Sequence, residues 1–207
     1  MFNHKPETYD ELYDLVQNRY DMNPKTPFLL DIDTSLITNM EALFQGFTQT
    51  VELDLSTWKT SNVKNMEYMF SSCKRMEKLD ISSFDTSNVE NMNYMFSYCK
   101  SLTDIDLSHF NTSNVETMCG MFLYCRNLNN INLSNLDFSK VNDMSEMFSE
   151  CNTIKLLDFS VKVSTKDMNQ IEYFAGIFNK TKIENLKISK ELFKKIFGVS
   201  PKTIKII

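Results

Sequence analysis

The hydrophobic positions of this chain follow a 26-residue period. Valine, methionine, phenylalanine and cysteine each keep that step through four successive units. The cysteine and phenylalanine columns are Cys73, Cys99, Cys125 and Cys151, and Phe70, Phe96, Phe122 and Phe148. Residues 51–76 form one complete unit, of which residues 77–102, 103–128 and 129–154 are variants. A fixed period of this length is typical of repeat proteins, in which each unit buries its apolar face by stacking on its neighbours.

The repeat extends beyond these four units at both ends. Residues 27–50 keep the register in a degenerate form. Downstream, Phe178 lies four positions beyond the place that the 26-residue step from Phe148 would give it, which predicts a four-residue insertion within residues 160–167. A strand-like fragment at residues 183–188 completes a series of six units.

Two periods alternate within each repeat. Leu53 and Leu55 flank Asp54, which is the alternation expected of a strand. The second half of the unit has apolar residues at i, i+3, i+6, i+7 and i+10, the spacing of one helical face: Val63, Met66, Met69, Phe70 and Cys73. The pattern predicts an α/β fold, a leucine-rich-repeat-like solenoid with one short strand and one helix per turn and a parallel sheet on one side. Asparagines near the repeat turns are expected to take positive φ in place of glycine: Asn62, Asn65, Asn88, Asn91 and Asn114.

Both ends of the repeat array need an apolar lid. Residues 6–20 place Tyr9, Leu12, Tyr13 and Val16 on one helical face, with Pro6 near the start. Residues 189–198 repeat that pattern, with Ser189 as N-cap and Gly198 after the last helical residue. We therefore expect a single domain over residues 1–207, with a cap helix in 1–26, repeats over 27–188 and a second cap in 189–207, where residues 203–207 add a final strand.

Composition narrows the range of functions. The chain has 207 residues, 42% of them hydrophobic, and a formal net charge of -5. An acidic chain of this kind is a poor candidate for neutralising nucleic-acid phosphates. With 4 glycines and 2 histidines, and without a recognisable catalytic motif, the sequence favours a protein that is not an enzyme, with no catalytic residues, metal or other cofactor.

The sequence also suggests where the protein acts. No apolar run approaches the roughly 18 residues that a membrane-spanning helix needs, so no membrane partner is expected. The first residues lack the pattern of a secretory leader or lipid anchor. A cytoplasmic protein is the expectation, and a cell-surface protein is the alternative if a leader was removed.

The repeats resemble a known family. The segments LDLSTWKTSNVKNMEYMFSSCKRM and LDISSFDTSNVENMNYMFSYCKSL are similar to BspA-like leucine-rich repeats, which are typical of bacterial surface proteins and mycoplasma lipoproteins. The resemblance covers residues 27–188. It implies a protein-binding module, in several family members an adhesin for host proteins, and no enzymatic activity in the repeat itself. A short copy of this kind would also suit an intracellular inhibitor or effector, bacterial or carried by a mobile element.

The strand residues that point away from the core are the first candidate binding surface. On the concave face of the solenoid they would line up in columns: Glu52, Asp54, Lys78, Asp80, Asp104, Asp106, Asn130, Asn132 and Asp158. Aligned carboxylates about 5 Å apart repel one another, which favours a partner protein with a basic surface, or a bound cation. The alternative is structural, because each aspartate could accept hydrogen bonds from nearby serine hydroxyls and backbone N–H groups.

Two further sets of residues are candidates elsewhere. Four tyrosines fall outside the core positions and could form an exposed convex strip for a partner, or fill grooves between repeats: Tyr68, Tyr94, Tyr98 and Tyr124. The cysteine column suits buried thiols better than zinc, since a line of ligands does not converge on a tetrahedral site. Residues 180–207 carry eight lysines and two glutamates, a charge excess that would attract an acidic partner, favour head-to-tail self-association, or, least favoured here, bind nucleic acid.

The sequence thus predicts a non-enzymatic protein-binding module, an intracellular inhibitor or effector of another protein. The alternatives are an adhesin-type surface protein that binds host proteins and, more remotely, an enzyme with an unrecognised site.

Overall fold

The computed structural model describes residues 2–160 and 173–197. Within these ranges there are two helices, α1 (Tyr9–Met22) and α2 (Lys190–Phe197). There are five strands, β1 (Glu52–Asp54), β2 (Lys78–Asp80), β3 (Asn130–Asn132), β4 (Thr153–Phe159) and β5 (Lys182–Ile188). All pairings between these strands are parallel, in one sheet of order β1-β2 and another of order β3-β4-β5. The described chain is a mixed α/β protein with parallel strands and few helices.

The strand register confirms the 26-residue repeat. Leu53 pairs with Leu79, and Ile131 pairs with Leu157, so each of these residues lies beside its equivalent in the next repeat. The predicted four-residue slip is also confirmed, because Asp143 bridges Tyr173, four positions beyond its 26-residue equivalent. The predicted site of the insertion, 160–167, lies outside the described residues except for residue 160.

The prediction of one helix in every repeat is wrong. Between α1 and α2, the described residues contain turns where that helix was expected. Backbone N–H groups in this segment do not follow the i to i−4 pattern of an α-helix. The Tyr68 and Phe70 amides donate to carbonyls of the next repeat, at Asn93 and Met95, whereas the Met69 amide donates to the carbonyl three residues earlier.

Left-handed backbone at two positions of each turn segment explains this departure. The φ angles are +55° at Tyr68 and +64° at Ser72, and both values interrupt a right-handed helix. The freed amides build a second parallel ladder across the repeats, which continues through six bridged residues: Asn39, Asn65, Asn91, Thr117, Asp143 and Tyr173. In this protein, apolar residues three positions apart therefore belong to a stack of turns and not to a helix.

The expected role of the repeat-turn asparagines is also wrong. Positive φ occurs mostly at tyrosine, glutamate and glycine positions, and none of the five asparagines predicted to adopt it does so, although Asn152 has a φ of +50°. Their side chains form hydrogen bonds between repeats instead. The Asn88 amide donates to the Ser61 carbonyl at 2.7 Å, and the Asn91 amide donates to the Glu67 carboxylate at 2.9 Å.

Like residues stack in columns through one continuous core. Successive rings of the phenylalanine column lie 5.4 to 5.8 Å apart, with interplanar angles of 16° or less, from Phe44 to Phe178. The four column cysteines are fully buried, and the Cys99 thiol donates to the Phe70 carbonyl at 3.1 Å. These columns confirm that the repeats stack in register.

Helices occur near both ends, as the sequence predicts. In α1, the Thr8 side chain caps the helix by accepting from the Glu11 amide at 3.2 Å, and Leu12 and Val16 are fully buried in the core. Tyr13 is 40% exposed and is less packed than the helical pattern indicated. In α2 the Ser189 hydroxyl accepts from the Leu192 amide at 3.2 Å. Gly198 and residues 203–207 lie outside the described residues.

Candidate partner-binding surface

The outward positions of the strands form one exposed face, here called the strand face. It carries the predicted columns: Glu52, Asp54, Lys78, Asp80, Asp104, Asp106, Asn130, Asn132 and Asp158. All are exposed except Asp158, which is half-buried. Alternation places them there, because Leu53 and Ile131 between them point into the core. The structure therefore brings every predicted strand residue to the same side of the chain.

The sheet under this face is interrupted at its centre. No strand pairing joins β2 to residues 104–106, although both segments are described, and residue 104 bridges only Asn130 on its other side. A groove of about 440 Å³ lies over the interruption, lined by Asp54, Asp80, Asp106 and His109 among others. A second groove of about 390 Å³ lies over Asp104, Asn130, Asn132 and Asp158. Both grooves are open to solvent, which suits a protein partner better than an enclosed small molecule.

Carboxylates without an ion-pair partner dominate the middle of the strand face. Lys78 pairs with Glu52 at 2.6 Å, and Lys187 pairs with Asp158 at 3.3 Å. Among residues 2–160 and 173–197, no basic side chain lies within ion-pairing distance of the remaining four acids: Asp54, Asp80, Asp104 and Asp106. The strand face is thus acidic, with its excess negative charge in the second to fourth repeats.

The column that starts at Asp54 continues at 26-residue steps through Asp80, Asp106, Asn132 and Asp158, and each of its aspartates makes a turn by accepting a hydrogen bond from the amide of the serine two residues later. The Asp80 carboxylate accepts from the Ser82 hydroxyl at 2.6 Å and from the Ser82 amide at 3.0 Å. The Asp106 carboxylate accepts from the Ser108 amide at 2.8 Å. These serine hydrogen bonds lower the pKa of both aspartates. Such contacts are the structural alternative anticipated from the sequence, and they are present.

The neutral residue Asn132 shows that this turn can form without a negative charge. It occupies the same column, and its side-chain oxygen accepts from the Ser134 amide at 3.0 Å and from the Ser134 hydroxyl at 2.7 Å. A neutral amide therefore makes the turn that Asp80 makes. The turn requires an acceptor oxygen, but it does not require the negative charge at Asp54, Asp80 and Asp106.

The tyrosines of the second candidate surface form two stacked pairs and not one strip. Tyr68 and Tyr94 have ring centroids 4.9 Å apart, and Tyr98 and Tyr124 have centroids 4.5 Å apart. All four are half-buried. The Cys119 Sγ atom and the Tyr94 hydroxyl form a hydrogen bond at 3.3 Å, and this contact together with burial raises the pKa of Tyr94. The rings largely pack on one another, as the groove-filling alternative expected, although not on helices.

The cysteine column is a packing feature. Burial raises the pKa of Cys73 and Cys151 to about 12 and raises the pKa of Cys99 and Cys125 well above the usual thiol range. All five cysteines are free thiols. In residues 2–160 and 173–197, no group of three or more histidine, cysteine or acidic side chains is arranged to hold a metal ion.

Two features of the surface were not recognised from the sequence. His109 borders the first groove, where its Nε2 donates to the Ile81 carbonyl at 2.9 Å. Lys100 and Arg126 lie beside the Tyr98–Tyr124 pair, and Lys74 occupies the equivalent position of the preceding repeat. The second feature has a signal in the sequence, since its three residues follow the 26-residue step.

Neither described helix has the length and apolar character that crossing a membrane would require.

Comparisons with known proteins give one family. Among curated proteins, no sequence matches the chain. Among solved structures, a leucine-rich-repeat protein of T. pallidum aligns with 12% identity over 68% of this chain and 80% of that chain, at a TM-score of 0.31. A likeness of that size carries no argument about fold or function. A family model described as "Mycoplasma protein of unknown function, DUF285" matches residues 12–106 and 101–196. Because these matches span most of its length, the chain belongs to the DUF285 family.

Proposed function

We propose that this DUF285 protein is a non-enzymatic protein-binding module whose strand face binds a basic surface of another protein. In this proposal the repeats form a solenoid of the BspA-like leucine-rich-repeat type, and α1 and α2 cap its two ends. The concave strand face is the main contact, and the tyrosine pairs are secondary.

The observation that carries the proposal is the difference between Asn132 and the aspartates of its column. An amide satisfies the same turn, so the turn alone does not account for the three carboxylates at Asp54, Asp80 and Asp106. Like charges at neighbouring positions of a sheet are mildly destabilising. A complementary basic surface would relieve this repulsion and would accelerate the encounter with the partner.

The backbone supports the same role because the face is held rigid before binding. Each repeat is joined to the next by the ladder of turns, and buried Thr86 and Thr112 add side-chain hydrogen bonds to the following repeat at 2.9 and 2.8 Å. A surface that is already ordered loses less conformational entropy on association.

We place the interaction inside the cell, where the protein would act as an inhibitor or effector of its partner. Five free thiols support this location, since reducing compartments keep cysteines unpaired. An adhesin-type protein at the cell surface is the alternative, and fractionating cells that express the protein separates the two.

The test compares capture of partner proteins by the wild-type chain and by the variant Asp54→Asn/Asp80→Asn/Asp106→Asn. Asparagine keeps the turn, so the variant should fold, with a urea midpoint reduced only by the stability that the charged forms of Asp80 and Asp106 contribute. The matched control Glu7→Gln/Asp14→Asn/Glu116→Gln removes the same charge from exposed residues away from the strand face.

We expect the control to retain a cytosolic partner that the strand-face variant loses, with the loss mainly in association rate at low salt. Equal capture by all three proteins would overturn the assignment of the strand face.

A further inference from the structure

Basic residues form a second charged row on the surface. Lys74, Lys100 and Arg126 occupy the same position in three successive repeats, just before the next strand segment, and Arg75 lies beside the first of them. Arg75, Lys74 and Arg126 are exposed, and Lys100 is half-buried. No acidic side chain among residues 2–160 and 173–197 forms an ion pair with any of these four.

Aromatic rings position two of these cations. The Arg126 guanidinium carbon lies 5.3 Å from the centroid of the Tyr124 ring, and the Lys100 ammonium nitrogen lies 6.0 Å from that of Tyr98. The two rings stack on each other at 4.5 Å. Cation–π contacts of this kind restrict long side chains that would otherwise sample many rotamers. We call Lys74, Arg75, Lys100, Arg126 and the two tyrosines the basic ridge.

The rings of the ridge argue against a nucleic-acid ligand. Stacking of bases on exposed aromatic faces is a main source of affinity for single strands. Here Tyr98 and Tyr124 already stack on each other and carry Lys100 and Arg126 close by. Carboxylates, which need only cationic donors, fit the ridge better.

The spacing of the ridge matches an acidic row on the same protein. Its cations advance by one repeat, and so do Asp54, Asp80 and Asp106 on the strand face. Both rows span the second to fourth repeats, so successive charges in each row are one repeat apart in the sequence. Asp54 and Asp80 lie on paired strands, which are about 4.8 Å apart. Three cations of one copy can therefore face three carboxylates of another copy in the same order.

We propose that the basic ridge of one molecule binds the strand face of a second copy of the chain. The inference rests on the proposed function, because it names a second copy as a partner of the same strand face. The contact is heterologous, joining two different surfaces, so each copy in a dimer keeps one free ridge or one free strand face, and association continues into longer oligomers. Exposed ion pairs are individually weak and screened by salt, so the assembly should be concentration-dependent and salt-sensitive.

Sedimentation velocity of the full chain over a concentration series tests this inference. We expect the average mass to rise with concentration in low salt, and to fall back to the monomer value when salt is raised to about 0.5 M, where exposed charges are screened. A wild-type chain that stays monomeric at every concentration in low salt overturns the inference.

Two variants make the test specific. The ridge variant Lys74→Gln/Lys100→Gln/Arg126→Gln and the strand-face variant Asp54→Asn/Asp80→Asn/Asp106→Asn should each remain monomeric alone. Mixed in equal amounts they should form a dimer and nothing larger, because only one ridge and one matching strand face remain intact. The control Lys25→Gln/Lys155→Gln/Lys190→Gln loses the same charge from other exposed lysines and should assemble like the wild type.

Other outcomes decide against the inference. Assembly that survives in both variants, or no dimer in the mixture of folded variants, overturns it. A monomeric chain whose ridge binds a single-stranded oligonucleotide also overturns it. If the wild type stays monomeric while the strand-face variant loses a different partner, this inference fails and the proposed function stands.

Discussion

The ring of Tyr94 lies against Gly120 of the next repeat, so closely that a β-carbon added there would come within 2.3 Å of the Tyr94 Cε1 atom. The φ angle of Gly120 is +58°, in the region that glycine adopts at low cost. The glycine therefore serves both the left-handed turn and the stacked Tyr68–Tyr94 pair.

Replacing this glycine should be costly. Gly120→Ala is expected to lower the free energy of unfolding by about 2–4 kcal/mol, because it combines overpacking with an unfavourable backbone angle. Gly46→Ala is the matched control, since Gly46 also has a positive φ but has no atom within 4 Å of the added carbon. We expect a loss of about 1 kcal/mol there, measured by urea denaturation.

A double-mutant cycle identifies the ring as the cause. In the background of Tyr94→Ala, the Gly120→Ala change should cost no more than Gly46→Ala costs in the wild type. Equal losses for Gly120→Ala with and without the Tyr94 ring would contradict this packing.

The phenylalanine column should dominate stability. Phe96 is fully buried, and its ring centroid lies 5.5 Å from those of both Phe70 and Phe122. Phe96→Ala should lower the free energy of unfolding by about 3–5 kcal/mol, since it leaves a cavity and removes two ring contacts. Met22→Ala, at a residue that is 71% exposed, should change it by less than about 0.5 kcal/mol. If Phe96→Ala and Met22→Ala lowered the free energy of unfolding by similar amounts in urea denaturation, the phenylalanine column would not be packed.

The cysteines should differ in reactivity. The four column thiols are buried, and desolvation raises the pKa of each, whereas Cys119 is only partly buried although its pKa is also raised. Native protein at pH 8 should therefore react with a thiol reagent first at Cys119, and unfolded protein should react at all five positions. Mass spectrometry of the labelled peptides checks the order. Rapid labelling of Cys99 in the native state would contradict the buried column.

Acid should weaken the repeat turns. The pKa values of Asp80 and Asp106 are lowered in the folded protein by hydrogen bonds from Ser82 and Ser108, relative to the 3.8 of an unperturbed aspartate. The unfolded chain therefore binds more protons than the folded protein in the pH range around these pKa values. The stability that these carboxylates contribute is complete above the pKa of the unfolded chain and is lost as the pH falls through their folded-state pKa values.

This linkage is measurable by urea denaturation between pH 2 and 6. The free energy of unfolding should rise with pH over the acidic part of the range. Asp80→Asn/Asp106→Asn should reduce that slope, because asparagine keeps the turn but does not titrate. An unchanged slope in the double variant would contradict the assignment.

The stacking of the repeats could be predicted because the buried positions recur at the same 26-residue step as the sequence pattern. Leu53, Phe70 and Cys73 are fully or almost fully buried, and a column needs only the same residue type at the same step. The four-residue shift after Phe148 was visible for the same reason, and Phe178 still stacks on the Phe148 ring.

The conformation of the second half-repeat could not be predicted in this way. Apolar residues three apart suit a helix and also suit successive turns. What decides between them is the set of backbone hydrogen bonds to the next repeat, such as the Tyr68 amide to the Asn93 carbonyl. Neither tyrosine nor serine, the residues at positions 68 and 72, is a residue type that predicts a positive φ.

The candidate surface was predicted in part. Alternation along the strands was enough to place Asp80 and Asp106 on one exposed face. The sequence did not show that Asn132 makes an equivalent turn, which is the comparison that separates charge from structure. The sequence also contained the basic row at Lys74, Lys100 and Arg126. Only the structure shows that Lys100 and Arg126 lie over the rings of Tyr98 and Tyr124.

Fluorescence anisotropy with a labelled lysine-rich peptide measures whether the carboxylates of the strand face bind a basic partner. Wild-type protein should bind the peptide in low salt, and Asp54→Asn/Asp80→Asn/Asp106→Asn should bind about tenfold more weakly, as expected for the loss of three exposed charge pairs. The control Glu7→Gln/Asp14→Asn/Glu116→Gln should stay within about twofold of the wild type. Equal affinity of the wild type and the strand-face variant would show that these carboxylates do not bind basic surfaces.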